Sequence, residues 1–345
     1  GTPRPRRSAG RRRRFDGVIK DAEAAREQEV AAWLGQKADQ TIETSCARVF
    51  LVGESAFKVK RPVDFGFLDY STLELRRWSL QRELSFNRAA APDIYRAVRQ
   101  LTRAADGGIE IDGAGEVVEY LLEMRRFDGE SVLASQPWAI DDALEESLGR
   151  TIAQFHTGAA LRPQGGGVSA LGYTIASNAN LLRGLAPRLG AQAVERLVEE
   201  TDLALKRLGP QLDARAAEGF ARHCHGDLHL GNILIEEGKP ILFDCIEFND
   251  LLSDLDVFYD LAFTLMDLDF RGRRDAGVRV LSAYLDEAAR VFPDEMWEGL
   301  AALPLMMSVR AGVRAHVAAH SRDDALAKAY VEAAIAHLSP APPRL

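Results

Sequence analysis

The spacing of apolar positions divides the chain into two halves of different character. Residues 21–38 are rich in Ala and Glu and lack glycine until Gly35, which predicts a helix. Residues 47–53 and 56–61 predict two strands joined at Gly53-Glu54. A charged helix is expected over 72–90, with Leu73, Leu80, Leu84 and Phe86 as its apolar positions. Three further strands are expected at Tyr95–Thr102, Ile109–Asp112 and Glu116–Met124. From Asp141 the period becomes helical. Asp142 and Glu145 resemble a capping box, opening a helix that runs to Thr157. The Gly- and Ser-rich stretch 163–180 predicts a long loop. Helical pattern returns at 190–208, 213–221, 252–268, 274–290, 294–318 and 321–337, with Ser321 and Asp324 as a second cap. Only His223–Asp244 interrupts it, with two short apolar runs around the turn at Gly238 and Pro240. The expected fold class is α+β: an antiparallel-sheet lobe over 21–124, a connector at 125–129 and a mostly helical lobe over 130–338. A ligand is expected in the cleft between two such lobes.

Composition refines this picture at the ends. Of the first 14 residues seven are arginine and none is acidic. Without them, 36 basic residues face 51 acidic ones, a net of −15. An acidic body argues against a nucleic-acid partner and suits a polar or cationic one. The Arg-rich stretch 1–20 and the Pro-rich end 339–345 are expected to be tails outside the fold. No run is long enough for a membrane span. Three cysteines without CxxC spacing predict reduced thiols in the cytoplasm rather than a disulfide framework or a zinc site.

The chemistry concentrates in HGDLHLGN at 225–232 and in Asp244, at the end of the following strand. Phosphoryl transfer needs a carboxylate to orient the acceptor hydroxyl and take its proton, and oxygen ligands for a divalent cation on the phosphates. Asp227 fits the first task; Asn232 and Asp244 fit the second, for a hard ion such as Mg²⁺. A rival pattern overlaps it. His223, His225, Asp227 and His229 approach the HxHxDH motif of zinc hydrolases, but their spacing is HxHxDxH, one residue too long. These histidines, His225 among them, are therefore expected to order the loop by hydrogen bonds to backbone.

On HGDxxxxN and the strand ending in Asp, the chain resembles the aminoglycoside phosphotransferase family, relatives of the protein kinases. The resemblance spans residues 40–320 and implies a bilobal, protein-kinase-like fold that uses ATP and Mg²⁺. It makes Asp227 the base, with Asn232 and Asp244 as the metal ligands. In FKVKRP at 57–62, alternation puts Lys58 and Lys60 on one face. Ala56-Phe57-Lys58 matches the kinase lysine pattern, so Lys58 is preferred for the phosphates, with Lys60 as the alternative and Glu83 as the anionic partner. No Gly-rich loop precedes these strands, so Ser45 and nearby backbone are expected to contact the nucleotide. The backbone of Arg125, Arg126 and Phe127 is expected against the adenine. Asp260-Leu261-Ala262 resembles the family's segment after the metal Asp and implies that Asp260 braces the catalytic loop. Glu247 and Asp250 are expected on the substrate side. The closest likeness is to a subgroup often fused to a P-loop ATPase-like domain. The implied acceptor is a small molecule with a hydroxyl group, a sugar being as suitable as an aminoglycoside. A nucleotide-binding module without turnover is the alternative.

Overall fold

The computed structural model describes residues 15–66 and 68–339. The Arg-rich stretch 1–14 and residues 340–345 of the Pro-rich end lie outside the described residues. The chain divides into two compact units, the first running to Asp128 and taking back Glu247–Asn249, the second formed by Gly129–Ile246 and Asp250 onwards.

The first unit is built on a six-stranded antiparallel sheet in the order β1-β2-β3-β6-β4-β5. Its strands are β1 (Gln40–Glu43), β2 (Ala47–Val52), β3 (Ser55–Lys60), β4 (Tyr95–Arg103), β5 (Ile109–Ile111) and β6 (Val117–Arg125). β1 was not foreseen in the apolar pattern, because all four of its residues are exposed and only its ladder to β2 defines it. Val30 and Leu34 of helix α1 (Phe15–Gly35) join Phe50, Val59, Leu101, Val118 and Leu121 in one buried cluster. Helix α2 (Leu73–Ala90) packs on β4 and β6 and buries Leu75, Leu80 and Glu83. Thr72 caps it, its side chain accepting from the Leu75 amide.

The second unit is mostly helical: α3 (Asp142–Gly158), α4 (Gly167–Leu189), α5 (Ala191–Ala217), α6 (Val257–Phe270), α7 (Arg274–Ala288), α8 (Leu303–His320) and α9 (Asp324–Leu338). Between α5 and α6 lie the short pair β7 (Ala221–His223) with β10 (Asp254–Asp256) and the hairpin β8 (Ile233–Glu236) with β9 (Lys239–Leu242). The main helical core joins Leu182 and Leu189 of α4, Val194 and Leu197 of α5, Phe263 and Met266 of α6, Ala311 and Ala315 of α8, and Tyr330 and Val331 of α9. Burying side chains of this size contributes about 1.5–3 kcal/mol each for the larger ones.

Several boundaries differ from the sequence expectation. Much of the predicted loop 163–180 is the first half of α4. Its glycines cluster at the entrance, where Gly166 has φ +67° and a Cβ would lie 2.9 Å from that of Ala221. Beyond them Ala170, Leu171, Ile175, Ala179 and Leu182 bury one helical face. The helices expected at 190–208 and 213–221 are one, α5, which continues through Pro210. The expected helix 294–318 begins as a 3₁₀ turn over Asp294–Ala302. Both expected caps shift: the first moves back one residue to Asp141, which accepts from the Leu144 amide, and the second moves on two residues from Ser321 to Asp323, which accepts from the Leu326 amide.

Arg215 pins α5 to the start of α6. Its guanidinium grips Asp256 through two bonds of 2.8 and 2.9 Å and lies over the rings of Phe220 and Phe258. Asp256 also caps α6 at the Phe258 amide. Removing one partner of a buried ion pair strands the other charge. Arg215→Ala is therefore expected to destabilise the protein by about 3–5 kcal/mol in equilibrium denaturation, whereas an exposed pair such as Arg196–Glu200 is worth at most about 1 kcal/mol.

Candidate active site

The second unit holds Asp227, Asn232 and Asp244 together. Asn232 directly precedes β8 and Asp244 follows β9 by two residues. The register Ile233↔Leu242 sets the two at the same end of the hairpin, and the Phe243 amide donates to the Asn232 carbonyl at 3.1 Å. Asn232 Nδ2 donates to the Asp227 carbonyl at 2.8 Å and to its Oδ2 at 3.2 Å. With its amide nitrogen so engaged, Asn232 presents Oδ1, the atom a hard cation prefers, as its remaining polar atom. Asp244 has φ +63°, a left-handed conformation that Asp tolerates better than most residues. Two carboxylates and an amide form an all-oxygen donor set, which fits Mg²⁺.

The loop carrying Asp227 is held from below by α6. Asp260 accepts from the His225 amide at 3.0 Å and the Gly226 amide at 2.8 Å. One turn on, Thr264 donates to the Leu228 carbonyl at 2.7 Å. Three residues later, Asp267 accepts from the Leu230 amide at 3.0 Å. Arg310 of α8 adds a bond from Nη1 to the Gly226 carbonyl, 2.9 Å, and lies over the rings of Tyr259 and Phe263. Gly226 has φ +86°, and a Cβ there would lie 2.5 Å from the Leu252 carbonyl, so glycine is required.

His225 orients the same loop. Its Nε2 lies 2.8 Å from the Phe243 carbonyl, which only accepts, so Nε2 carries the proton and Nδ1 accepts from the Asp227 amide at 3.3 Å. Burial lowers the His225 pKa and keeps the ring neutral. His229 Nδ1 accepts from the Gly231 amide, which turns Nε2 toward Asp227 Oδ2 at 3.5 Å. Burial alone would raise the Asp227 carboxyl, but His229 beside it and the Arg310 guanidinium outweigh this and hold it well below the usual range. Asp260 is likewise lowered: burial opposes ionisation, and the 3.0 Å bond to His156 leads the groups that overcome it. Asp227 keeps 39% of its side-chain surface open, whereas Asp260 is wholly buried.

The zinc pattern is not assembled. His223 Nδ1 turns to Asp254 at 2.7 Å, while His225 and His229 serve backbone groups. Among the described residues, the one group of three metal-capable His, Cys, Asp or Glu side chains is His156–Cys224–Asp260. Both ring nitrogens of His156 there are occupied, by Tyr284 and Asp260.

In the first unit, Lys58 Nζ lies 2.6 Å from Glu83 Oε1 and Lys60 Nζ 2.6 Å from Glu83 Oε2. Two expectations change here. Glu247, expected to face a substrate, is buried, and its Oε1 accepts from Lys60, Tyr70 and Ser79 at 2.7–2.9 Å. The Arg125 and Arg126 amides, expected against a base, donate to the Ile94 and Glu54 carbonyls. Phe127 follows in the connector. Ser45 sits exposed at the β1–β2 turn, which Thr44 closes by bonding Ala47, taking the place of a glycine-rich turn. Asp250 lies in the second unit, where it lines a groove of about 500 Å³ with Leu161, Arg162, Gln164, Ser169 and Asp254. Thr264 and Arg310 were not anticipated. Asp267 shares a helical face with Asp260, and the position of Thr264 on that same face would have revealed it too.

Comparison with known proteins bears on the family and the fold. A family model described as "Phosphotransferase enzyme family" matches residues 67–303. An uncharacterised protein of Mycobacterium tuberculosis is 31% identical over 282 residues, covering 80% of this chain and 53% of the relative. The chain thus spans about half the length of the curated relatives it matches. Choline kinase from Cryptosporidium parvum superposes with a TM-score of 0.55 at 11% identity, covering 94% of each chain. The GDP complex of aminoglycoside 2'-phosphotransferase-IIIa gives 0.51 at 13% identity, covering 92% of this chain and 98% of that one. These likenesses show the fold: a protein-kinase-like α+β architecture with a small antiparallel-sheet unit and a mostly helical one.

Asp260→Ala is expected to leave the His225 and Gly226 amides unpaired. Hydrogen–deuterium exchange at those amides should speed up about tenfold or more, from a cost of about 1–3 kcal/mol for the stranded donors. The folded pKa of Asp260 lies below the unfolded value of about 3.9, so its stabilisation is complete above that value and lost as pH falls below it. Acid titration of stability should therefore be shallower in Asp260→Ala than in the wild type.

Proposed function

This chain belongs to the phosphotransferase enzyme family, and from that premise we propose that it transfers the γ-phosphoryl group of ATP, with Mg²⁺, to a hydroxyl group of a small molecule. The observation that carries the reading is that Asp227 sits on a loop fixed at three points by α6, with Asn232 bonded to it and Asp244 at the same hairpin end as Asn232.

In this reading the acceptor oxygen attacks the γ-phosphorus in line. The new P–O bond forms as the bond to the β,γ-bridging oxygen breaks, and ADP leaves with that electron pair. The acceptor proton passes to the Asp227 carboxylate. Asp227 orients the acceptor hydroxyl as well as taking its proton. Asn232 and Asp244 would hold Mg²⁺, which supplies charge neutralisation on the phosphates when bound. Lys58, paired with Glu83, would meet the phosphates from the first unit. The β1–β2 turn with Ser45 would cover them, and the connector with Phe127 would meet the base. Positioning and fixed charge account for the catalysis.

Asp250 is proposed on the acceptor side. Its groove carries Arg162, Gln164, Ser169 and Asp254 beside Leu161 and Leu251, a lining suited to a hydroxyl-rich molecule with an apolar face. Among the described residues no helix is long and apolar enough to cross a membrane. Three free cysteines support a cytoplasmic setting. A P-loop ATPase-like domain in a longer form of the chain is the proposed companion.

Phosphoryl transfer should be assayed with ATP and GTP against aminoglycosides, amino sugars, neutral sugars and choline. Turnover is expected with at least one acceptor and should vanish on chelation of Mg²⁺. Asp227→Ala should lower kcat about 10³-fold or more with little change in nucleotide affinity. Full activity in that variant would remove Asp227 from the reaction.

A further inference from the structure

The first unit contains more buried charge than a phosphate-binding lysine and its partner require. Four charged groups alternate in sign: Lys58, Glu83, Lys60 and Glu247. Lys58 to Glu83 Oε1 at 2.6 Å and Lys60 to Glu247 Oε1 at 2.7 Å are hydrogen-bonded ion pairs, and Lys60 to Glu83 Oε2 at 2.6 Å is an ion pair without hydrogen-bond geometry. Glu83 has no exposed surface, Lys60 and Glu247 keep 3% and 5%, and Lys58 is the most open at 13%. Tyr70 and Ser79 donate to Glu247 at 2.7 and 2.9 Å, and the Lys60 ammonium lies 5.0 Å from the Tyr70 ring centroid. Arg82 fixes the Glu247 backbone through its carbonyl at 2.8 Å.

We propose that Lys60 and Glu247 are positioning residues, which clamp the second oxygen of Glu83 so that Lys58 is the amine presented to the phosphates. The inference rests on the phosphotransferase reading and adds to it two residues that touch neither nucleotide nor acceptor. A glutamate with one cationic partner can swing and share either oxygen with it. With Lys60 on Oε2, Glu83 offers Lys58 only Oε1, in one direction. Lys60 can do this only if its own charge is balanced, and Glu247 balances it. Charge follows the same logic. Burial works against the Lys60 ammonium, yet Glu247 and Glu83 hold its pKa well above the ordinary value, and Lys60 and Lys58 keep Glu247 ionised against the same burial. The array is neutral as a whole, which is the condition for burying four charges. Lys60 is committed to two carboxylates inside the unit.

Calorimetric titration with Mg·ATP and with adenosine tests this in the full chain, on wild type, Lys60→Met, Glu247→Gln and the double variant Lys60→Met with Glu247→Leu. Adenosine has no phosphate and reports the base site alone. Each variant is expected to bind ATP about tenfold or more weakly while adenosine changes less than about twofold. Glu247→Gln keeps the shape of the site and guards against loss of fold in Lys60→Met. The double variant leaves no stranded charge, so its melting temperature should recover toward wild type while its ATP affinity does not. ATP and adenosine affinities falling together would make the array merely structural and overturn the proposal. Unchanged ATP affinity in all variants would do the same. If wild type itself bound no nucleotide, the phosphotransferase reading would fall, and this inference with it.

Discussion

The site depends on one constraint: a loop that must expose a carboxylate has to be rigid without a regular ladder of its own. The buried face of α6 meets it. Asp260, Thr264 and Asp267 stand at i, i+4 and i+7, and each takes one point of the loop, at 225–226, 228 and 230. The helix is buried all round, so these polar groups are stable there only because each is bonded. The loop supplies the partners that α6 needs, and α6 supplies the rigidity that the loop lacks. His156, Arg310 and Arg271 then bind the carboxylates of α6 from α3, from α8 and from the end of α6 itself, so the support extends through the helical unit.

The same arrangement sets the electrostatics. His156 beside Asp260 and His229 beside Asp227, with the buried Arg310 guanidinium, favour ionised carboxylates there, even where burial opposes charge. Neutral His225 shows the complementary behaviour: it orients Asp227 through a defined tautomer without adding a titrating charge beside it. A site built this way has its charges in place before a ligand arrives, the condition under which electrostatic stabilisation is most effective.

Much of this was legible in the chain, for identifiable reasons. Short apolar stretches located β2, β3, β4 and β6, because each buries side chains in a real core, β6 on both its faces. It could not find β1, which is wholly exposed, nor separate the glycine-rich entrance of α4 from the helix behind it. Asp227, Asn232 and Asp244 were found because loop chemistry and short-range spacing put them together. Glu247 was misplaced for the opposite reason. An acid in an acid-rich segment looks solvent-facing, and its partners Lys60, Tyr70 and Ser79 lie more than 165 residues earlier. Arg310 was missed on the same ground, since its bond to Gly226 spans 84 residues and leaves no local pattern.

The return of Glu247–Asn249 into the first unit has a consequence for how the chain is made. That unit is discontinuous: its sheet is complete in the sequence by Arg125, but its last buried carboxylate comes 122 residues later. During synthesis Lys60 and Glu83 must wait, one cation in excess with Lys58, until most of the second unit has been translated. A fragment cut at Asp128 would therefore lack the carboxylate that Lys60, Tyr70 and Ser79 bind.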